Sequence, residues 1–265
     1  MSHLHFLLFI DFTYKVIEKS EKCYIYKTKE RTMKIMSVLL ILLGSIGLTS
    51  CSHTNSQIPN EFIETNLRHL KDDEGYQLNK FGVKFTDGKL EVNKVGELHK
   101  CEYQFSDGKL LGIDRGEWGG QLCFIPTDTA KKTLKIKEGN IKFIFSFKNK
   151  LYFIEGLAHS TTNTGSLYKL YSSINSFVFK KIMDFDGAPE AFAVYQNKLL
   201  IATHINFYSI ENFKQVVIYK NIFRNGLYPN SIAIIDDKNI FFGMQGAIAK
   251  LDLWEKNLKF YKNKG

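Results

Sequence analysis

Apolar and polar positions divide the chain into stretches of different character. Ile35 to Leu48 is an apolar run interrupted only by Ser37, Gly44, Ser45 and Gly47. Ser52 to Ile58 is polar and turn-rich, without periodicity, and reads as a tether. From Pro59 to Lys71, Phe62, Ile63, Leu67 and Leu70 fall near helical spacing behind Pro59 and Asn60, which predicts a short helix. After Gly75 the pattern changes to short apolar runs of β type, separated by Gly, Asn and Asp.

These runs repeat. Asp107-Gly108-Lys109-Leu110, Asn149-Lys150-Leu151, Asn197-Lys198-Leu199 and Asp237-Lys238-Asn239-Ile240 each join one apolar run to the next, as a tight hairpin does. Lys109, Lys150, Lys198 and Lys238 align these turns, and the interval from Lys150 to Lys198 is the longest of the three. That longer spacing has a local cause: the stretch from Leu151 to Leu167 exceeds its counterpart from Leu199 to Tyr208. A polar inserted loop from His159 to Thr164 is the expected source. A period of about 40 to 45 residues with four strands in each is that of a β-propeller blade. The expected fold is therefore all-β and β-propeller-like, about five blades of ~40 residues, with a β-sandwich or barrel of similar strand count as the alternative. Units begin near Cys101, Ile141, Ala191 and Ser231. The hairpin of Phe81 to Thr86 and Lys89 to Asn93 across Asp87-Gly88 supplies an irregular fifth. Phe192-Ala193-Val194 and Ile232 to Ile235 are almost continuously apolar, as strands buried on both faces are. Later strands of each unit mix in Lys, Asn and Ser, so they belong outside.

The apolar run at 35–48 concerns destination rather than fold. Lys34, the core Val38 to Leu43 and the small residues Thr49-Ser50 follow the basic, apolar, small order of a secretory signal helix. The run falls short of the roughly 20 residues needed to span a bilayer. Leu48-Thr49-Ser50-Cys51 resembles the lipobox of bacterial lipoproteins. The resemblance implies cleavage before Cys51, a diacylglyceryl group on its sulfur, and a membrane-anchored protein of the cell envelope, periplasmic or surface-facing. Ser52 leans toward the outer membrane by the same resemblance. Residues 1–32 precede this signal. Either the true start is Met33 and they are an over-extended reading frame, which we adopt, or Phe6 to Ile10 belong to a longer N-terminal region. The domain plan is 1–32 over-extended, 33–50 signal peptide, 51–58 tether and 59–265 a single domain.

Charge narrows the partners. Of 36 Lys and Arg and 27 Asp and Glu, seven and four lie in 1–50, leaving 29 against 23. Only Arg68, Arg115 and Arg224 among the 29 are arginines, whereas nucleic-acid readers lean on Arg for bidentate contacts. Nucleic acid is not an expected partner. Cys101 and Cys123 fall two strands apart in one blade, roughly 9–10 Å, beyond the reach of a disulfide, and are expected as two buried thiols.

In a four-stranded antiparallel blade, turns between strands 1 and 2 and strands 3 and 4 share one end; the remaining connections share the other. The first end receives Lys109, Lys148, Lys150, Lys198 and Lys238, which are solvated turn residues or a basic surface toward anionic membrane or polymer. The second receives Asn140, Glu190 and Asn230 at equivalent positions just before the first strands. It also receives Asp114, Arg115, Glu117 and Trp118, then Glu155, His159, His204 and Gln245. Carboxylate and amide oxygens near an axis suit a hard cation such as Ca²⁺. In residue type and blade position the set resembles the axial metal site of lactonase-type propeller hydrolases; no run of sequence is shared, so no activity is carried over. His159 and His204 titrate in the range of a base or ligand. Gly119 and Gly120 after Trp118 permit a ligand ledge or a tight connection with Trp118 packed between blades. No nucleophile elbow, phosphate loop, Cys/His cluster or dinucleotide fingerprint is present.

Three functions follow. The first is a lipid-anchored binding or interaction module for a protein, glycan or small-molecule ligand, using the Asn140/Glu190/Asn230 face. The second is a metal-dependent, lactonase-like hydrolase with those residues as ligands and His159 or His204 as base. The third is a structural scaffold in an envelope assembly.

Overall fold

The computed structural model describes residues 58–66, 70, 79–96, 99–173, 176–223 and 226–264. The segments 1–32 and 33–50, with the signal helix, lie outside the described residues, as do Cys51 and the tether up to Gln57. No helix among the described residues is long and apolar enough to cross a membrane.

The chain is almost entirely antiparallel β-structure, in five sheets. β1 (Phe62–Thr65) comes first but pairs last. β2 (Phe81–Thr86) and β3 (Lys89–Lys94) form a two-stranded sheet. A four-stranded sheet follows from β4 (Lys100–Gln104), β5 (Gly108–Asp114), β6 (Gly120–Pro126) and β7 (Leu134–Glu138). The next holds β8 (Ile141–Phe147), β9 (Lys150–His159), β10 (Thr162–Ser173) and β11 (Ser176–Asp186). Then come β12 (Pro189–Tyr195), β13 (Lys198–Thr203), β14 (Phe207–Glu211) and β15 (Lys214–Tyr219). The last sheet is β16 (Ser231–Asp236), β17 (Asn239–Gly243), β18 (Ala247–Asp252) and β19 (Asn257–Asn263), with β1 on the outer edge against β19. All-β structure and the unit starts near 101, 141, 191 and 231 agree with the periodicity.

Hairpin chemistry explains the regularity. Two-residue turns at Asp87-Gly88, Lys148-Asn149 and Asn212-Phe213 have positive φ at both positions. That geometry matches the twist of the flanking strands. Apart from β1, which joins β19, each sheet is then a local meander whose strands pair with sequence neighbours.

Burial between sheets supplies the tertiary order. One apolar cluster, with Phe81, Val83, Ala233 and Phe241, lies between the β2–β3 sheet and the last sheet. A second, with Ala191, Leu200, Phe242 and Ala249, joins the last sheet to β12–β15. A third, with Phe145, Ile154, Ile201 and Tyr208, joins β12–β15 to β8–β11. A fourth, with Leu110, Leu122, Ile144 and Phe153, joins β8–β11 to β4–β7. The first strands meet in the same sequence, β4 with β8, β8 with β12, β12 with β16 and β16 with β2. β8 and β12 lie between two neighbouring sheets, hence their apolar runs. Gly165 permits one close approach: a Cβ there would lie 2.1 Å from Pro189 Cδ.

Two expectations are corrected. The helix over 59–71 is replaced at Phe62–Thr65 by β1, which buries Phe62 and leaves Ile63 half exposed. Phe62 meets Phe81 edge-on at 5.0 Å between centroids. The 62/63/67/70 spacing fits either element over so short a run, and pairing with β19 decides. The inserted loop at 159–164 is instead a two-residue turn at Ser160-Thr161, with Ser160 at φ +53°. The extra residues lengthen β9, β10 and β11 to 10, 12 and 11 residues, because continuing the ladder satisfies backbone groups that a loop would leave to solvent.

Cys101 and Cys123 are free thiols, as expected. Cys101 Sγ donates to Ile141 O at 3.7 Å and Cys123 Sγ to Leu111 O at 3.6 Å. Burial pushes the Cys101 thiol up to about 12.

Candidate functional site

The end of the sheets holding the β5–β6 connection and the starts of β8 and β12 carries the densest charge network. Its centre is Lys142, which the sequence pattern did not single out. Lys142 Nζ lies 2.8 Å from Asp114 Oδ2 and 3.3 Å from Glu190 Oε2. Lys142 and Glu190 are each the second residue of a first strand. In both strands the register shifts at that residue, between Ile141 and Phe143 and between Pro189 and Ala191. Such bulges re-aim a side chain out of the alternating pattern. The sequence signal was a lysine within the apolar run Ile141-Lys142-Phe143-Ile144.

Electrostatics follow from the low exposure of all three groups. Burial would lower the Lys142 pKa, but Glu190 and Asp114 outweigh it and the net shift is upward. Burial raises the Glu190 pKa, only partly opposed by Lys142. Removing Lys142 would leave two facing carboxylates, an arrangement that costs several kcal/mol, about 3–5, when a buried pair is broken. Asp114 also accepts from Gly116 N–H through Oδ1 at 2.9 Å, which holds the turn Gly116–Trp118.

Asn140 is committed to the same turn. Its Oδ1 accepts from Arg115 N–H at 3.2 Å, and its Nδ2 donates to Gly116 O at 2.7 Å. Asn230 Oδ1 accepts from the Ser231 hydroxyl at 2.8 Å, and that hydroxyl accepts from Val83 N–H at 2.8 Å. Asn230 Nδ2 is buried, with no partner among the described residues. The His204 backbone N–H donates to Ala188 O at 2.7 Å, and the ring meets Tyr228 edge-on at 4.9 Å. Its Nδ1 is buried without a partner among the described residues, and burial, then the nearby Lys142, lowers its pKa.

Glu155 belongs to a neighbouring cluster. It pairs with Lys137 and accepts from the Tyr168 hydroxyl at 2.6 Å, while Lys137 lies 5.0 Å from the centre of the Tyr168 ring. Burial first, and Glu155 second, hold the Tyr168 phenol up at about 12, so it stays a donor. At the surface, His159 Nε2 lies 2.9 Å from Glu117 Oε2 with both side chains about half exposed. Trp118 is 79% exposed. It is not packed between sheets.

The residues present do not fit Ca²⁺. A hard cation needs about six or more free oxygens. Here the Asn140 amide is used at both ends, Asn230 Oδ1 takes a hydroxyl, and Glu190 faces an ammonium. Among the described residues no group of three or more His, Cys, Asp or Glu is placed to hold a metal. The end presents an exposed indole and holds a buried amide donor and a buried imidazole nitrogen that have no partner among the described residues.

No protein-family model matches the chain, and no curated protein matches its sequence. Solved structures similar to it include a luciferin-regenerating enzyme, at 10% identity over 76% of this chain and 80% of that one, with a TM-score of 0.45. The N-terminal domain of Nup159 is 11% identical over 60% of this chain and 46% of that one, with a TM-score of 0.36. The tricorn protease is 12% identical over 69% and 26%, with a TM-score of 0.31.

Proposed function

We propose that the five sheets are the blades of a β-propeller, anchored at the cell envelope by a lipid on Cys51, which binds a polar ligand without turning it over. The ligand is a glycan, a small molecule or a protein segment, and it enters at the Lys142 end. The observation that carries this reading is the pair of buried atoms there, Asn230 Nδ2 and His204 Nδ1, that have no partner among the described residues. Buried polar atoms in folded proteins nearly always have partners, and a ligand hydroxyl can both accept from an amide and donate to an imidazole nitrogen. Trp118 at the rim supports a glycan in particular, since an exposed indole stacks on apolar ring faces.

The propeller reading is supported by the successive meeting of first strands and by β1 completing the last sheet. The hydrolase reading loses support because its three ligands are engaged as described.

Two measurements test the proposal. Full-length protein in detergent micelles is applied to a panel of immobilised bacterial glycans and peptides. A glycan bound by the wild type and about tenfold less by Trp118→Ala, roughly the 1.4 kcal/mol of one tenfold step, supports it. Undiminished binding by that variant places the site elsewhere. For the anchor, Cys51→Ser is expected to move the protein from the membrane to the soluble fraction and to abolish labelling by radioactive palmitate.

A further inference from the structure

The other end of the sheets carries a second feature, one β5 length or about 20 Å away. A cleft of about 330 Å³ opens between the end of β4 and the β8–β11 sheet. Its apolar walls are Tyr103, Phe105, Leu151 and Tyr171; its charged lining is Lys150 and Lys169, with no Asp or Glu. The volume is at the low end for small-molecule sites, which combine apolar walls with a few polar groups. A ligand of one ring is within that volume.

Charge decides what kind of ring. Elsewhere at this end Lys109 is 2.8 Å from Glu102, and Lys198 is 3.6 Å from Glu211. Lys150 and Lys169 make no ion pair among the described residues. Lys169 Nζ is instead held 4.4 Å from the centre of the Tyr171 ring, and Tyr103 meets Phe105 edge-on at 5.3 Å. Two ammonium groups without carboxylates beside an aromatic wall complement an anion with an apolar body. We propose that this cleft is a second ligand site, for a small monoanion built on one aromatic or alicyclic ring with a carboxylate or sulfate. The inference is independent of the Lys142 end.

The probes are benzoate, benzyl alcohol and benzylammonium, alike in ring and different in charge, titrated into the full-length protein and followed by saturation-transfer NMR. Benzoate is expected to bind at least tenfold more tightly than benzylammonium. Lys150→Gln and Lys169→Gln are each expected to weaken benzoate about fivefold, the upper range for one exposed pair, and to leave benzyl alcohol unchanged. Lys150 is exposed and Lys169 half-buried, and urea midpoints equal to wild type verify that the variants fold. Equal binding of the three probes, no binding of any, or benzoate binding indifferent to the double variant would overturn the proposal. So would binding of phosphatidylglycerol vesicles through these lysines without binding of benzoate, which would mark a membrane-facing surface instead.

Discussion

Lys142, Glu190 and His204 differ in how far their chemistry could be read from residue type. Glu190 and His204 were legible as polar groups among turn signals, but Lys142 sits within an apolar run and looked like a strand residue. Only the bulge that turns it toward Asp114 and Glu190 makes it part of the site. His204 carries the pH prediction. Its folded pKa lies below the ordinary 6.5, so as pH falls the unfolded chain takes up the proton first. Stability from this residue is therefore full above 6.5 and lost below it. Glu190 works in the opposite sense: its folded pKa is raised above 4.5, and its contribution declines as pH rises through the raised value. Urea midpoints measured at pH 7.5 and 5.5 should fall further for the wild type than for His204→Gln. Equal falls would mean that the imidazole titrates the same in both states.

At the scale of elements, strands and turns were legible because both depend on nearest neighbours. Asp87-Gly88 announces a two-residue hairpin and Ile232 to Ile235 a strand, although of its residues only Ala233 is fully buried. Strand length was not legible, since β9 runs to His159 and β10 starts at Thr162, where the sequence looks like a polar loop. Nor was the strand at Phe62–Thr65, whose partner β19 lies at the far end of the chain: Glu64 pairs with Tyr261. How closely elements pack gives a further prediction. Gly165→Ala would place a methyl against Pro189 and force the β8–β11 and β12–β15 sheets apart, at a cost of about 2 kcal/mol. Thermal denaturation should show a matching fall in Tm; an unchanged Tm would mean that the sheets yield without penalty.

For the whole molecule, the decisive contact joins the two ends of the described chain. β1 closes the edge of the last sheet, and Phe62, 7% exposed, packs on Phe81 of the first. Phe62→Ala is expected to lose about 3–4 kcal/mol of unfolding free energy, the usual cost of emptying a buried aromatic site. Equilibrium urea unfolding measures it, and a loss under about 1 kcal/mol, well below that usual range, would show that the ends are not held by this contact. The sequence by itself determined the all-β class, the regular recurrence of hairpin turns and the unit starts. Hairpins and buried strands are specified by local turn chemistry and by runs of apolar residues, and both can be read along one dimension. Tertiary structure decided that Lys142 is the counter-charge of Glu190, that Asn140 is a structural brace, that Trp118 is exposed, and that β1 belongs to the last sheet. Each of these depends on which distant groups meet and on where a bulge aims a side chain, and no local pattern encodes either.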